Sequence, residues 1–172
     1  PIEYDAQKVE AVRKRVRLHE DDNILVLPVR SDKRKSLEKS VDFGLALQEE
    51  TGKTSVLALT HPPYDDPVYA LRVMSYAAEK GVVLKPVHRL LVEDGRPDFD
   101  LGHQIADIDV YTPDYEGLGN AFLEGVRNKR VLAVDPYPVF KEDIQGEAPN
   151  DFKFIDISRG MDVAAKQAKE VL

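Results

Sequence analysis

The sequence predicts an α/β fold: a parallel sheet of about six strands covered by helices on both faces. Three observations lead there. Short apolar segments recur between amphipathic ones along all 172 residues. Several of these segments, such as Ile24-Leu-Val-Leu-Pro-Val29 and Val131-Leu-Ala-Val134, are apolar without alternation, as strands buried on both faces are. The intervening segments are long enough for helical crossovers, which are right-handed between parallel strands. Together these give a doubly wound, Rossmann-like sandwich.

The elements follow in order. Val9, Val12 and Val16 recur at helical spacing within Lys8 to His19, so residues 1–20 read as a lead-in with a short amphipathic helix. Its cations Arg13, Lys14, Arg15 and Arg17 read as a solvated face. After the Asp21-Asp22-Asn23 turn, Ile24 to Val29 is the first strand. Ser36 is placed to cap a helix that runs to about Thr51 and ends at Gly52. Ser55 to Thr60 is the second strand, and His61-Pro-Pro-Tyr-Asp-Asp-Pro67 a rigid loop. A helix then runs to Lys80 and stops at Gly81, before a third strand at Val82 to Val87. Arg89 to Asp98 reads as a polar loop, and Leu101 to Ala106 as a short helix. Ile108 to Thr112 is the fourth strand, short, β-branched and aromatic. A helix over Gly119 to Asn128 leads to the fifth strand, Val131 to Val134. Tyr137 to Ile144 is a helical or irregular connector, Phe152 to Ile157 the sixth strand, and Met161 to Leu172 the last helix. There is no internal repeat, low-complexity tract or second domain.

Composition narrows the function. With 42% hydrophobic and 32% charged residues the chain is an ordinary globular domain. A net charge of −7 argues against general nucleic-acid binding, which needs a basic face. Without cysteine there are no disulfides and no thiolate metal sites. No apolar run approaches the roughly 20 residues of a membrane span, and no export signal is visible. The expected setting is the cytoplasm, with attachment to a membrane through another domain left open. Pro1 is not a normal start, which points to a processed chain or part of a longer one.

Ligands of such sheets bind beyond the carboxyl ends of the strands. Three features fall there. Arg30, with Lys33, Arg34 and Lys35, follows the first strand; His88 and Arg89 follow the third; Glu116-Gly-Leu-Gly-Asn120 follows the fourth. Arg30 and Lys35 flank a strand-to-helix turn, a fork and a point charge fit to hold a diphosphate. Gly117 and Gly119 let the backbone bend and approach a ligand before a helix whose N-terminus favours anions. Glu116 and Glu124 bracket that cradle and suit sugar hydroxyls. Taken singly, each feature has a bland reading: a solvated basic turn, or an acid placed near a helix start. Their shared position favours a pocket. Asp107-Ile-Asp109 has the form of a two-aspartate metal motif, but it opens a strand at the wrong end of the sheet and reads as structural. His61 with Asp65 and Asp66 lacks a second histidine at ligand spacing, so no metal site is expected.

On these residues the sequence resembles the C-terminal, donor-binding half of the retaining family-4 (group 1) glycosyltransferases of GT-B architecture. Arg30 to Lys35, in its Pro28-Val-Arg setting, matches the family's Arg-x4-Lys. Glu116 to Glu124, with Gly117-Leu118-Gly119 inside it, matches its Glu-x7-Glu. Tyr137-Pro-Val-Phe and Asp143-Ile144 resemble one branch, and the likeness spans about Arg17 to Ile157. Thr112-Pro113 stands where Pro-Ser is usual, Gly125 where Ala is common and Arg130 where Pro is common. The resemblance implies a hexosyltransferase of carbohydrate biosynthesis using a UDP-, GDP- or ADP-sugar as donor, with no cofactor and no metal. It implies that Arg30 and Lys35 hold the diphosphate, Glu116 the donor sugar and Glu124 the ribose. Gly117, Leu118, Gly119 and Asn120 would offer backbone N–H groups, and Val87 and His88 would lie beside the base. It also implies an N-terminal acceptor-binding domain as partner, without which this half would bind donor but not transfer efficiently. Two rival readings are a free-standing nucleotide-sugar binding module and a GT-B-like nucleotide-sugar epimerase.

Overall fold

The computed structural model describes residues 4–93, 96–145 and 154–172, excluding the side chain of residue 93. In chain order its principal elements are α1 (Ala6–Arg15), β1 (Asn23–Leu27), α2 (Leu37–Thr51), β2 (Ser55–Leu59), α3 (Pro67–Glu79) and β3 (Val83–Pro86). Then come β4 (Val92–Glu93), β5 (Arg96–Pro97), α4 (Phe99–Gln104), β6 (Ile108–Tyr111), α5 (Asn120–Arg127), β7 (Val131–Val134), β8 (Ile155–Asp156) and α6 (Met161–Lys169). A 3-10 turn, Lys33–Lys35, precedes α2, a π-helical turn, Phe140–Gln145, follows β7, and a second 3-10 turn, Ile157–Arg159, follows β8.

Six strands form one parallel sheet in the order β3-β2-β1-β6-β7-β8. Strand order reverses between β1 and β6, and a doubly wound sheet opens its ligand crevice at such a reversal. Successive residues of each strand face opposite sides. Leu25, Leu27, Leu57 and Leu59 pack with Phe43 and Leu47 of α2 and Ala164 and Ala168 of α6. Ile24, Val26, Val56 and Ala58 pack with Val9 and Val12 of α1 and Leu101 of α4. Every residue of β1 and β2 is buried, which accounts for their unbroken apolar character.

Local chemistry sets the helix starts. Asp5, Asp66 and Asp98 each accept a backbone N–H from the first turn of α1, α3 and α4, at 2.9–3.0 Å. Ser36 differs from the expectation: it precedes α2 but makes no capping bond, and its hydroxyl pairs with Asp114 instead. The expected polar loop contains the small antiparallel β4–β5 hairpin. Of the expected sixth strand, Phe152 and Lys153 lie outside the described residues. Arg13 is not solely a solvated cation. Its Nε donates to the Ile105 carbonyl at 2.9 Å, and its guanidinium reaches Asp107 at 3.1 Å, tying α1 to the start of β6. Among the described residues no helix is long and apolar enough to cross a membrane.

Gly44 shows how closely α2 lies on the sheet. A Cβ there would sit 2.8 Å from Leu57 Cδ1, with Val82 Cγ1 and Leu25 Cδ1 at 3.4 and 3.5 Å. Overpacking costs about 1–3 kcal/mol, against a gain of about 1 kcal/mol in helix propensity. Gly44→Ala is therefore expected to lower Tm by about 2–4 °C in a calorimetric melt. An unchanged or raised Tm would mean that Leu57 repacks freely.

Candidate donor site

The reversal between β1 and β6 places the end of each strand beside the other. Arg30 follows β1, and the Lys33–Lys35 turn carries Lys35 back toward the sheet. Asp32 fixes that turn by accepting the Arg34 N–H at 3.1 Å. Thr112, just past β6, clamps it: Thr112 Oγ1 lies 3.2 Å from the carbonyl oxygens of both Lys35 and Ser36, and 2.8 Å from Ser40 Oγ. Thr112 thereby staples two loops together.

These loops and the start of α5 enclose a cavity of about 400 Å³. Arg30, Arg34 and Lys35 line one side, Glu116, Leu118, Gly119 and Asn120 another, and Glu124 closes it from α5. His61 and Phe99 also line it, stacked with ring centroids 4.7 Å apart and planes 12° from parallel. Burial, then the Arg30 charge, pushes the His61 imidazole down to about 4, so it is neutral at pH 7. A second cavity of about 570 Å³ adjoins through the shared residues Phe99 and Glu124 and is lined also by Arg96, Asp98, Asp100 and Arg127.

The electrostatics are self-contained. Lys35 is buried, and its ammonium makes a close ion pair with Glu116; Arg34 reaches the same carboxylate at 3.2 Å. Burial raises the Glu116 carboxyl, but the hydrogen bond and charge of Lys35, the Gly117 N–H and Arg34 outweigh it and hold it below the usual range. Tyr111 donates to Glu116 at 3.2 Å, and Tyr137 donates to the Leu118 carbonyl at 3.2 Å. Burial pushes the Tyr137 phenol up to about 12, so it remains a donor. Arg30 is exposed, 3.9 Å from Asp65.

The two loop glycines differ. Gly119 has φ +80°, and a Cβ would meet Tyr137 Oη at 2.6 Å and Tyr111 Oη at 3.1 Å. Gly117 has open space around its Cα and no left-handed backbone, so the tight bend expected there belongs to Gly119 alone. The Gly117 N–H donates to its neighbour Glu116 at 3.2 Å rather than into the cavity. No side chain caps α5, and Asn120 and Ala121 of its first turn line the cavity. An uncapped helix start of this kind favours anions.

Arg30, Lys35, Glu116, Leu118, Gly119, Asn120 and Glu124 come together as expected. Val87 and His88 do not. The Val87 side chain is fully buried, and His88 lines a separate apolar cavity of about 410 Å³ with Tyr64, Met74 and Arg89. The reason is topological: β3 is the edge strand, two positions from β1, or roughly 10 Å across the sheet. Residues not anticipated from sequence as site members are Arg34 as a Glu116 partner, Tyr111 and Tyr137 as supports, the His61–Phe99 stack, and His103. Asp107 accepts the Ile24 N–H at 2.8 Å, and Asp109 is buried against His103; both hold structure together. Among the described residues no group of three or more metal-ligating side chains is assembled.

This is the Rossmann-like fold of GT-B glycosyltransferase domains, and the chain resembles group 1 glycosyltransferases in sequence as well as fold. It is 27% identical over 162 residues to mannosylglucosylglycerate synthase of Thermotoga maritima, a match covering 85% of this chain and 36% of that protein. A glycosyltransferase from Rickettsia africae ESF-5 superposes with a TM-score of 0.68 at 13% identity, over 97% of this chain and 42% of that one. The C-terminal domain of a glycosyl transferase group 1 family protein (LpcC) from Francisella tularensis gives 0.56 at 14% identity, over 99% of this chain and 90% of that domain. The chain thus spans little more than a third of the curated relative's length. No protein-family model matches it.

Proposed function

We propose that residues 1–172 form the nucleotide-sugar donor-binding domain of a retaining, metal-independent glycosyltransferase, which transfers a sugar from a nucleoside-diphosphate sugar to an acceptor. One observation carries this reading: Lys35, Glu116, the Gly119 turn, the start of α5 and Glu124 line a single cavity at the strand-order reversal. Arg30, Lys35 and the α5 N-terminus neutralise the donor diphosphate and stabilise it as it leaves, fixed charges acting where charge develops. Glu124 accepts hydrogen bonds from the ribose, and Glu116 contacts the donor sugar. The acceptor is held by an N-terminal partner domain, so this domain alone binds donor without efficient transfer.

Calorimetric titration with UDP-, GDP- and ADP-sugars and their free diphosphates tests the reading. One base is expected to bind selectively. Glu124→Ala removes charge-assisted bonds worth about 1.5–3 kcal/mol, so affinity falls by about 10- to 100-fold. Unchanged affinity in a folded variant would sink the ribose assignment.

Glu116 occupies the cation that the diphosphate needs. Donor binding must draw Lys35 away from Glu116, or share it. Glu116→Gln removes that competition, worth about 0.2–1 kcal/mol for a partly exposed pair. Free nucleoside diphosphate is therefore expected to bind up to about 5-fold more tightly, while the sugar adds less to affinity than in the wild type. Weaker binding of the free diphosphate would show that Glu116 orients Lys35 rather than competing for it.

A further inference from the structure

Behind Glu124 lies a buried polar pair that the donor contacts do not use. His103, on α4, has a side chain only 1% exposed. Its Nδ1 is 2.5 Å from Oδ2 of Asp109 on β6, which is equally buried. Its Nε2 is buried, has no hydrogen-bond partner, and faces Glu124 Oε2 at 3.6 Å. One imidazole therefore stands between two carboxylates, one in the core and one lining the cavity. The room for this comes from Gly125, where a Cβ would fall 2.7 Å from Asp109 Oδ2.

We propose that His103 is a positioning residue for Glu124: bridging Asp109 and Glu124 as an imidazolium, it holds the Glu124 carboxylate turned to accept the ribose hydroxyls. The inference rests on the donor-site reading of the cavity. Burial raises the Asp109 carboxyl, opposed by the hydrogen bond and charge of His103 and then the charge of Arg130; an ionised Asp109 can only accept, and Nδ1 then carries the proton. In the neutral ring Nε2 would then turn a lone pair on a carboxylate. In the imidazolium it turns an N–H, and a small rotation of Glu124 closes 3.6 Å to a hydrogen bond.

The other charged groups near the imidazole do not reverse this. Arg130, from the loop after α5, acts on Asp109; Asp100 of α4 and His61, from the loop after β2, lie within electrostatic reach. Burial alone would push the imidazole down, but the hydrogen bond and charge of Asp109, and then Glu124, outweigh it and hold it above its ordinary value of 6.5. As pH rises through that transition, Nε2 loses its proton and repels the carboxylate it held. Ribose recognition is lost with it.

Two measurements on the whole chain test this. The first needs no nucleotide: an NMR titration of the His103 ring in the wild type and in Glu124→Gln. A transition above the ordinary value, lowered in Glu124→Gln, is expected; a transition indifferent to the substitution overturns the proposal. The second compares UDP, GDP and ADP with their 2′-deoxy counterparts by calorimetry, from about pH 6 to about pH 9. The wild type is expected to prefer the ribonucleotide by roughly tenfold at the acid end, and the preference shrinks as pH rises. His103→Gln, whose amide donates at every pH, keeps a preference that does not vary with pH, and His103→Leu loses it. A preference flat in pH and equal in wild type and His103→Leu overturns the positioning role. Binding of no nucleotide at all would overturn the donor-site reading, and the NMR shift then decides separately whether His103 and Glu124 are coupled.

Discussion

Gly119→Ala is expected to abolish nucleotide-sugar binding and to destabilise the fold by about 2–5 kcal/mol. Two costs add. The residue sits at φ +80°, where a side chain costs about 1–2 kcal/mol. Its new methyl would also stand 2.6 Å from Tyr137 Oη and 3.1 Å from Tyr111 Oη, an overpacking worth about 1–3 kcal/mol. Neither ring can retreat without loss. Both tyrosines are 2% exposed, and their hydroxyls donate to the Leu118 carbonyl and to Glu116. Relief of the clash therefore moves the loop that lines the cavity and the carboxylate paired with Lys35. Gly117→Ala is the control. It meets nothing within 4 Å, so its effect on stability is expected within about 0.5 kcal/mol. Thermal melts and calorimetric titrations of the two variants check this. Similar behaviour of both would mean that the tyrosine pillars do not hold the loop.

The contrast between these glycines shows what a sequence can and cannot display. Unbroken apolar runs locate β1, β2 and β7 because strands inside a parallel sheet are buried on both faces, and the bounds read for the six sheet strands differ by only one or two residues where described. The β4–β5 hairpin leaves no such trace, since strands of two residues have no period. His88 follows a strand, which is why the sequence points to it, but the order of strands decides which ends meet, and β3 lies at the edge. Arg30, Lys35, Glu116 and Glu124 are legible because they flank local turns at fixed spacing. The His103–Asp109–Glu124 chain is not. It joins α4, β6 and α5 through packing, and a lone histidine in a short helix carries no signal of its two partners. The one local hint is Gly125, a glycine inside a helix, whose meaning needs the neighbouring carboxylate.

Asp109→Ala is expected to cost about 3–5 kcal/mol of stability, at least as much as Gly119→Ala, because it leaves a buried imidazole without its hydrogen-bonded counter-charge. Asp109→Asn separates charge from shape: its amide oxygen still accepts from Nδ1–H, so the loss should be smaller. The pH dependence tells the two apart. The folded-state pKa of His103 is raised above its unfolded value, near 6.5. The stabilisation it contributes is therefore complete below that value and is lost as pH rises through the folded-state pKa. Wild-type Tm, followed upward from about pH 6, should fall across that window, and Asp109→Asn should flatten the fall. A Tm profile identical in both would mean that His103 is neutral throughout. Gly125 closes the test. In the wild type, Gly125→Ala drives a methyl to within 2.7 Å of Asp109 Oδ2 and 2.6 Å of Leu132 Cδ2, and is destabilising. In Asp109→Ala the carboxylate contact is gone and only Leu132 must yield, so the same methyl should cost less. The two substitutions are then coupled rather than additive, as residues that share one space are.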